Sequence, residues 1–233
     1  MSGKILCQRR LYGSRWGEMS RETPLIIAID GPAASGKSTV AKRVAAELGC
    51  VFVNSGGMYR AFTWWVLQNG IVPENTATVL DLLKKTVFDC GEENGVGTIS
   101  VGGTRMTRSE MASTEVNANV STIASIPEVR ERLVAEQRHY AEQTGVVMEG
   151  RDIGSVVFPE TPFKFYIDAS PEVREQRRRA EGITDSIANR DKVDSSRKAS
   201  PLIIPDDAVV VDSSEMSADE VTAAVLESIR GRL

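Results

Sequence analysis

The sequence has little of what metal and redox chemistry use. It contains one histidine, His139, and three cysteines, Cys7, Cys50 and Cys90, widely spaced and with no C-x-x-C pair. That excludes a zinc site, a mechanism built on a His pair and a disulfide framework, and it fits reduced thiols in a cytoplasmic protein. No run approaches the ~20 consecutive apolar residues that a membrane span needs, so no membrane partner is expected. Positive charge is not in excess: 28 Lys and Arg stand against 32 Asp and Glu, a net charge of −4. A surface-wide grip on a nucleic-acid polymer is therefore disfavoured, while a local basic site for a small anion stays open. Internal repeats and low-complexity tracts are also missing. His139 falls in a charged helical run, where a solvated surface position is expected.

What is present is the composition of an ordinary globular chain, with 41% hydrophobic and 26% charged residues over 233 positions. That size and balance suit one domain with room for an insertion. Residues 1–23 are basic and lack the apolar core of a secretory signal. They are expected to form a disordered extension, or to precede a true start at Met19.

From Pro24 onward strands and helices alternate. Leu25–Asp30 is an apolar run suited to a strand buried on both faces. Val40, Val44 and Leu48 lie four apart on a helix face, and Val51–Val53 is a short strand. Met58–Gln68 reads as a helix ending at Asn69-Gly70. Val146–Met148, Phe163–Asp168 and Ala208–Asp212 read as further strands. Ser170-Pro171 opens a helix, and Ser217 with Glu220 makes a capping box before the last one, Val221–Arg230. This rhythm predicts an α/β fold in three layers, with a five-stranded parallel sheet covered on both faces. Residues 86–108 break it: glycine-rich turns separate short alternating runs, which predicts two or three small antiparallel strands in an inserted subdomain.

The strongest chemical signal is Gly31-Pro32-Ala33-Ala34-Ser35-Gly36-Lys37-Ser38-Thr39, a match to G-x-x-x-x-G-K-S/T. Glycines let the backbone curl so that successive N–H groups face one anion, and the following helix adds its positive end. Lys37 is then placed to reach the β- and γ-phosphates of ATP, and Ser38 to ligate Mg²⁺. A chance match in a chain of this length is about a one-in-a-hundred event, and the strand before and helix after supply the required context.

The motif does not name an acceptor. Ser55 and Arg60 flank a helix start, where a hydroxyl and a guanidinium can hold a second phosphate, although Arg60 alone also fits a plain surface position. Arg151 and Asp152 follow a strand and so sit over the ligand edge of an open sheet, or form a salt-bridged loop. Arg190, Asp194 and Arg197 recur at i, i+4, i+7 on one face, either a solvated ion-pair face or part of a cover over phosphates. They follow an arginine cluster at Arg174, Arg177, Arg178 and Arg179.

With these residues in view, the chain resembles the bacterial cytidylate (CMP) kinases of the P-loop nucleoside monophosphate kinase superfamily. The matching stretches are IAIDGPAASGKSTVAKRVAAELG, NSGGMYRA, ASIPEVRERL, GRDIGSVVFP and ANRDKVDSSRKASPL, within residues 24–230. The GRDIG run and the later RD–D–R–SPL run are specific to the family; the P-loop alone is not. The resemblance implies that Ser55, Arg60 and Arg151 hold the monophosphate and that Ser121, Arg130 and Asp152 read cytosine. It implies further that Arg190 and Asp194 contact ribose, that Arg197 contacts phosphate, and that Arg177 and Arg178 are lid arginines beside Lys37. A cytosine edge carries an amino donor beside two acceptors, which an acceptor such as Asp152 and donors such as Arg130 and Ser121 complement. The implied organisation is a core of 24–70, 143–176 and 198–233, a monophosphate-binding insertion at about 71–126 and a short lid at about 177–192. Three positions depart from the family pattern: Asn54 stands where Asp is usual, Ala112 where many members carry Arg, and the Arg179–Arg190 segment is short.

The expected activity is therefore transfer of the γ-phosphoryl of ATP to CMP and dCMP, with Mg²⁺, by a cytoplasmic monomer. The competing readings are a P-loop kinase for UMP, AMP or a small metabolite, and a nucleotide-binding switch. The second lacks the N-K-x-D run of a guanine reader.

Overall fold

The computed structural model describes residues 24–180 and 202–233. Its spine is β1 (Ile26–Asp30), which pairs in parallel with β6 (Val146–Gly150) on one side and β7 (Phe163–Asp168) on the other. β2 (Val51–Asn54) lies outside β6 and β8 (Val209–Asp212) outside β7, giving the parallel order β2-β6-β1-β7-β8. The apolar run of β1 is explained by its two buried faces. Ile27 and Ile29 pack with Val40, Val44 and Leu48 of α1 (Lys37–Leu48) and with Val225 and Ile229 of the last helix, α8 (Ala218–Arg230). Ala28 faces the other way, toward Met58 of α2 (Ser55–Gln68) and Val134 and Tyr140 of α6 (Pro127–Gln143). The expected three layers follow from this alternation.

The helix ends obey local chemistry. α2 begins three residues earlier than its apolar run, because the Asn54 side chain accepts from Gly57 N at 2.9 Å and caps it. α8 likewise starts at its capping box, in which Ser217 and Glu220 each accept from the other's backbone N–H.

Between α2 and α6 come α3 (Thr76–Lys85), the antiparallel strands β3 (Phe88–Glu93), β4 (Val96–Val101) and β5 (Thr104–Arg105), then α4 (Arg108–Met111) and α5 (Thr114–Ala124). Both hairpin turns, Asn94-Gly95 and Gly102-Gly103, have positive φ at their two central residues, as tight antiparallel connections require. These are the small antiparallel strands expected from the sequence, there read as an inserted subdomain. They also join the main sheet, extending it to eight strands among the described residues, because β4 joins β2: Phe52 pairs with Val96, and Phe52 N donates to Gly95 O at 2.9 Å. Gly97 permits this junction, since a Cβ there would lie 3.0 Å from Val53 and 3.2 Å from Tyr140. The elements of this region close a second core on α2 and α6, centred on Phe62, Val79, Ile123 and Leu133.

The five parallel strands end at Asp30, Asn54, Gly150, Asp168 and Asp212, all on one edge of the sheet. That edge carries the site. After β6 the chain makes a π-helical turn at Ile153–Val157 before returning to β7, and α7 (Pro171–Ala180) follows β7. No helix among the described residues is long and apolar enough to cross a membrane.

Candidate active site

The loop from Gly31 to Gly36 leaves the end of β1 and turns into α1. Its backbone requires glycine at Gly31, where a Cβ would stand 2.1 Å from the carbonyl of Ile167, and uses positive φ at Ala34 (61°) and Gly36 (87°). Strain of this kind persists only where surroundings enforce it. Here Arg174 Nη1 of α7 donates to Ala33 O at 3.3 Å, and Ser213 Oγ, just after β8, donates to Ser35 O at 3.0 Å. Lys37 is buried, with Nζ donating to Pro32 O at 2.9 Å and standing 4.0 Å from Glu149 Oε2. Ser38 Oγ donates to Glu149 Oε1 at 2.8 Å.

Opposite the loop, Ser55 Oγ donates to the carbonyl of Glu149 at 2.9 Å. Arg60 is held by Met111 O at 3.1 Å and Asn117 Oδ1 at 2.7 Å. Asn117 in turn donates to Ala112 O, so it joins α2, α4 and α5 around this guanidinium. Arg130 and Asp152 form a buried ion pair, 3% and 4% exposed, with Arg130 Nη1 also donating to Ala124 O and its guanidinium 5.2 Å from the centre of the Tyr59 ring.

These groups line one cleft of ≈ 290 Å³. Ala33, Ala34, Gly36, Lys37, Ser38 and Thr39 form its floor, and Ser55, Arg60, Ser121, Arg130, Arg151, Asp152 and Arg178 its walls. Gly31, Pro32 and Ser35 are not among its lining residues. Arg177 turns aside, its guanidinium donating to Ser213 Oγ at 3.1 Å and Ser213 O at 2.8 Å, beside the edge of the loop at Gly36. Arg190, Asp194, Arg197 and the lid beyond Ala180 lie outside the described residues. Asn54 also lines the cleft, and its carboxamide is committed to the α2 cap.

A family model described as cytidylate kinase matches residues 27–231. The chain belongs to the cytidylate kinase family. Among curated cytidylate kinases, that of Alkaliphilus metalliredigens is 43% identical over 217 residues, covering 88% of this chain and 96% of that protein. That of Caldanaerobacter subterraneus is 40% identical over 215 residues, covering 88% of this chain and 94% of that protein. Among solved structures, TT1252 from Thermus thermophilus is a more distant likeness, with a TM-score of 0.46 and 19% identity, covering 91% of this chain and 99% of that one.

Several groups in or beside this cleft of the cytidylate kinase family chain escape motif reading. Glu149 is one; its signal is an acidic residue ending an otherwise apolar buried strand, VVMEG. Ser213 is another, a small hydroxyl residue with no pattern to mark it. Asp30 is a third. It is 3% exposed, and its carboxylate accepts from Ile153 N at 2.8 Å and Gly154 N at 2.7 Å. Burial pushes its pKa up to about 7, against the pull of those two N–H donors.

Proposed function

We propose that this protein transfers the γ-phosphoryl of ATP to the 5′-phosphate of CMP, and of dCMP, giving ADP and CDP or dCDP. The observation that carries this reading is the joining of two kinds of group in one cleft. The Gly31–Thr39 cradle is at one end and the buried Arg130–Asp152 pair is at the other. The cradle takes the triphosphate, with Lys37 on its outer phosphates. Ser55, Arg60 and Arg151 take the acceptor's phosphate. Ser121, Arg130 and Asp152 complement the donor and acceptors of the cytosine edge. In this reading Arg190 and Asp194 contact the ribose and Arg197 the phosphate, while Arg177 and Arg178 of the lid carry charge on the moving group. Residues 24–70, 143–176 and 198–233 then serve as the core and about 71–126 as the monophosphate-binding insertion, in a cytoplasmic enzyme.

The chemistry asks for placement more than for bond-making groups. The attacking atom is already a phosphate oxyanion, so no general base is required. The chain has to bring two mutually repelling anions into line and exclude water from them. Arg60, Arg130, Arg151, Arg178 and Lys37 all line the one cleft, and their charge would offset that repulsion before transfer begins. The Ser38 hydroxyl and the Glu149 carboxylate, hydrogen-bonded at 2.8 Å beside the cradle, are hard oxygen donors of the kind Mg²⁺ accepts. Among the described residues no cluster of three or more His, Cys, Asp or Glu could cage a metal alone, so Ser38 and Glu149 would hold the ion together with ATP's own phosphates. When bound, Mg²⁺ supplies charge neutralisation on those phosphates.

The test is a coupled ADP-release assay with ATP, Mg²⁺ and a panel of CMP, dCMP, UMP, AMP, GMP and shikimate. CMP and dCMP are expected to dominate. Preference for UMP or AMP would overturn the base-reading roles, and no acceptor-dependent release would overturn the kinase reading itself.

A further inference from the structure

The turn Ile153–Val157 follows directly on Arg151 and Asp152, the two residues that the proposed function places against the acceptor nucleotide. Its first backbone acceptor is Asp152 itself, whose carbonyl receives Val156 N at 2.9 Å and Val157 N at 3.2 Å. The backbone of Asp152 therefore moves only if the turn moves. A turn of five residues leaves most of its own N–H and C=O groups without internal partners. Both ends of this one are met by charged side chains from elsewhere in the fold. At its start, Asp30 Oδ1 and Oδ2 accept from Ile153 N and Gly154 N at 2.8 and 2.7 Å. At its finish, Arg138 of α6 donates through Nη2 to Val156 O and through Nε to Val157 O, both at 2.8 Å. The signs are those that the aligned peptide dipoles favour, a carboxylate at the N–H end and a guanidinium at the C=O end.

Asp30 also brackets the two substrate-facing residues. Its backbone is in parallel register with Gly150, immediately before Arg151, and its side chain holds the backbone immediately after Asp152. The excursion of Arg151 and Asp152 is thus tied at both ends to the last residue of β1, which is also the residue that opens the phosphate-binding loop. Arg138 does not line the nucleotide cleft, and neither does Asp30.

We propose that Asp30 and Arg138 are positioning residues: together they clamp the 153–157 turn and so fix Arg151 and Asp152 for the acceptor nucleotide. The inference rests on the proposed function, since it assigns these two residues a role in binding CMP and leaves the ATP cradle to its own supports at Arg174 and Ser213.

Arg138 is exposed, so Arg138→Ala is expected to fold, and it is the primary variant. With the full chain, CMP is varied at saturating Mg-ATP and ATP at saturating CMP. Arg138→Ala is expected to raise the KM for CMP about tenfold, because small misplacement of a binding group costs that much or more, and to leave the KM for ATP and kcat within about twofold. Arg138→Lys, which can still donate to one of the two carbonyls, should fall between it and wild type. Asp30→Asn, which turns an amide N–H toward a backbone N–H, should raise the CMP:ATP ratio of KM values in the same direction from the other end of the turn. Hydrogen exchange over residues 151–158 should accelerate in Arg138→Ala. Wild-type KM for CMP in Arg138→Ala overturns the clamp. So does an equal rise in both KM values with a lowered Tm, since that is general loosening. A wild-type chain that does not turn over CMP overturns the functional reading and this role with it, and the exchange data then show whether the turn is still held.

Discussion

Replacing Arg130 by Met keeps the length and apolar stem of the side chain and removes its charge. Three contacts are lost at once, the pairing with Asp152, the bond to Ala124 O and the stacking over Tyr59, together with the donor that the proposed function assigns to cytosine. Stability and binding should respond differently, and the difference is the test. Asp152 is 4% exposed, so the single variant strands a buried carboxylate, a change that costs about 3–5 kcal/mol. Loss of the guanidinium over the tyrosine ring adds about 1 kcal/mol. Removing the second charge as well, in Arg130→Met/Asp152→Leu, takes away the stranded ion, and such double replacements return to within about 2 kcal/mol of wild type. Binding should not return. A hydrogen bond to a charged partner contributes about 1.5–3 kcal/mol, so each variant should show a KM for CMP raised roughly 10–100-fold. Urea unfolding supplies the first quantity and steady-state kinetics with CMP varied supplies the second. If the double variant regained wild-type KM along with its stability, the pair would be a structural strut and its assignment to the base would be wrong. If the single variant lost less than about 1 kcal/mol, the pair would not be a buried ion pair in the sense used here.

Lys37→Ala should lower kcat by about 10²–10³-fold with little change in the KM for CMP, as expected when a preorganised charge on the transferring group is removed; near-normal turnover would refute its role. Asp30 makes stability depend on pH with a definite sign. Its folded-state pKa is raised to about 7 from 3.8, so its contribution is fully present below about pH 4 and is lost as pH rises toward 7, at up to about 1.4 kcal/mol per pH unit. Tm measured from pH 4 to 8 should show this fall in wild type and a flatter profile in Asp30→Asn. Burial pushes the Cys50 and Cys90 thiols up to about 11, so both should resist maleimide at pH 7.5 until the protein is unfolded, as intact-mass analysis would show.

Much of the parallel sheet was legible because its strands are buried on both faces and so read as unbroken apolar runs. Phe163–Asp168 matches its expected limits, and Ile26–Asp30 begins one residue late. The start of α2 was legible to within one residue from Ser55, but the cap itself is the preceding side chain, Asn54, which accepts from Gly57 N. The joining of β4 to β2 was hidden, because one register pair, Phe52 with Val96, and the lack of a side chain at Gly97 decide it, and neither leaves a periodic trace. Of the residues that line the cleft, those carried by a motif or by the family resemblance, such as Lys37, Ser55, Arg130 and Asp152, could be named in advance. Glu149, Asp30 and Ser213 could not. Each acts through contacts with segments about 40 to 180 positions away in the chain, as in Ser213 to Ser35 and Asp30 to Gly154, and no local spacing encodes such a pairing.

The strand order explains why Glu149 occupies the centre. β6 lies between β1, which delivers the phosphate cradle, and β2, which delivers Ser55. Neighbouring strands stand about 4.8 Å apart, so the ends of β1 and β2 are separated by about 10 Å, a gap that one more strand end must bridge. Glu149, at the carboxyl end of β6, bridges it from both sides. Its carboxylate accepts from Ser38 on the Gly31–Thr39 loop, and its backbone carbonyl accepts from Ser55 on the opposite wall of the cleft. Two phosphate groups drawn together at 4 Å would repel by about 4 kcal/mol per pair of charges in surroundings of intermediate dielectric. Under the proposed function, the two hydroxyls held by one residue, Ser38 by its carboxylate and Ser55 by its carbonyl, would set the spacing of the two phosphates. β6 then continues into Arg151 and Asp152, which line the same cleft, so in the proposed function one strand would both space the phosphates and supply groups for the acceptor. A crossover order that put β2 directly against β1 would bring the phosphate sites one strand closer and leave no strand end to carry those groups.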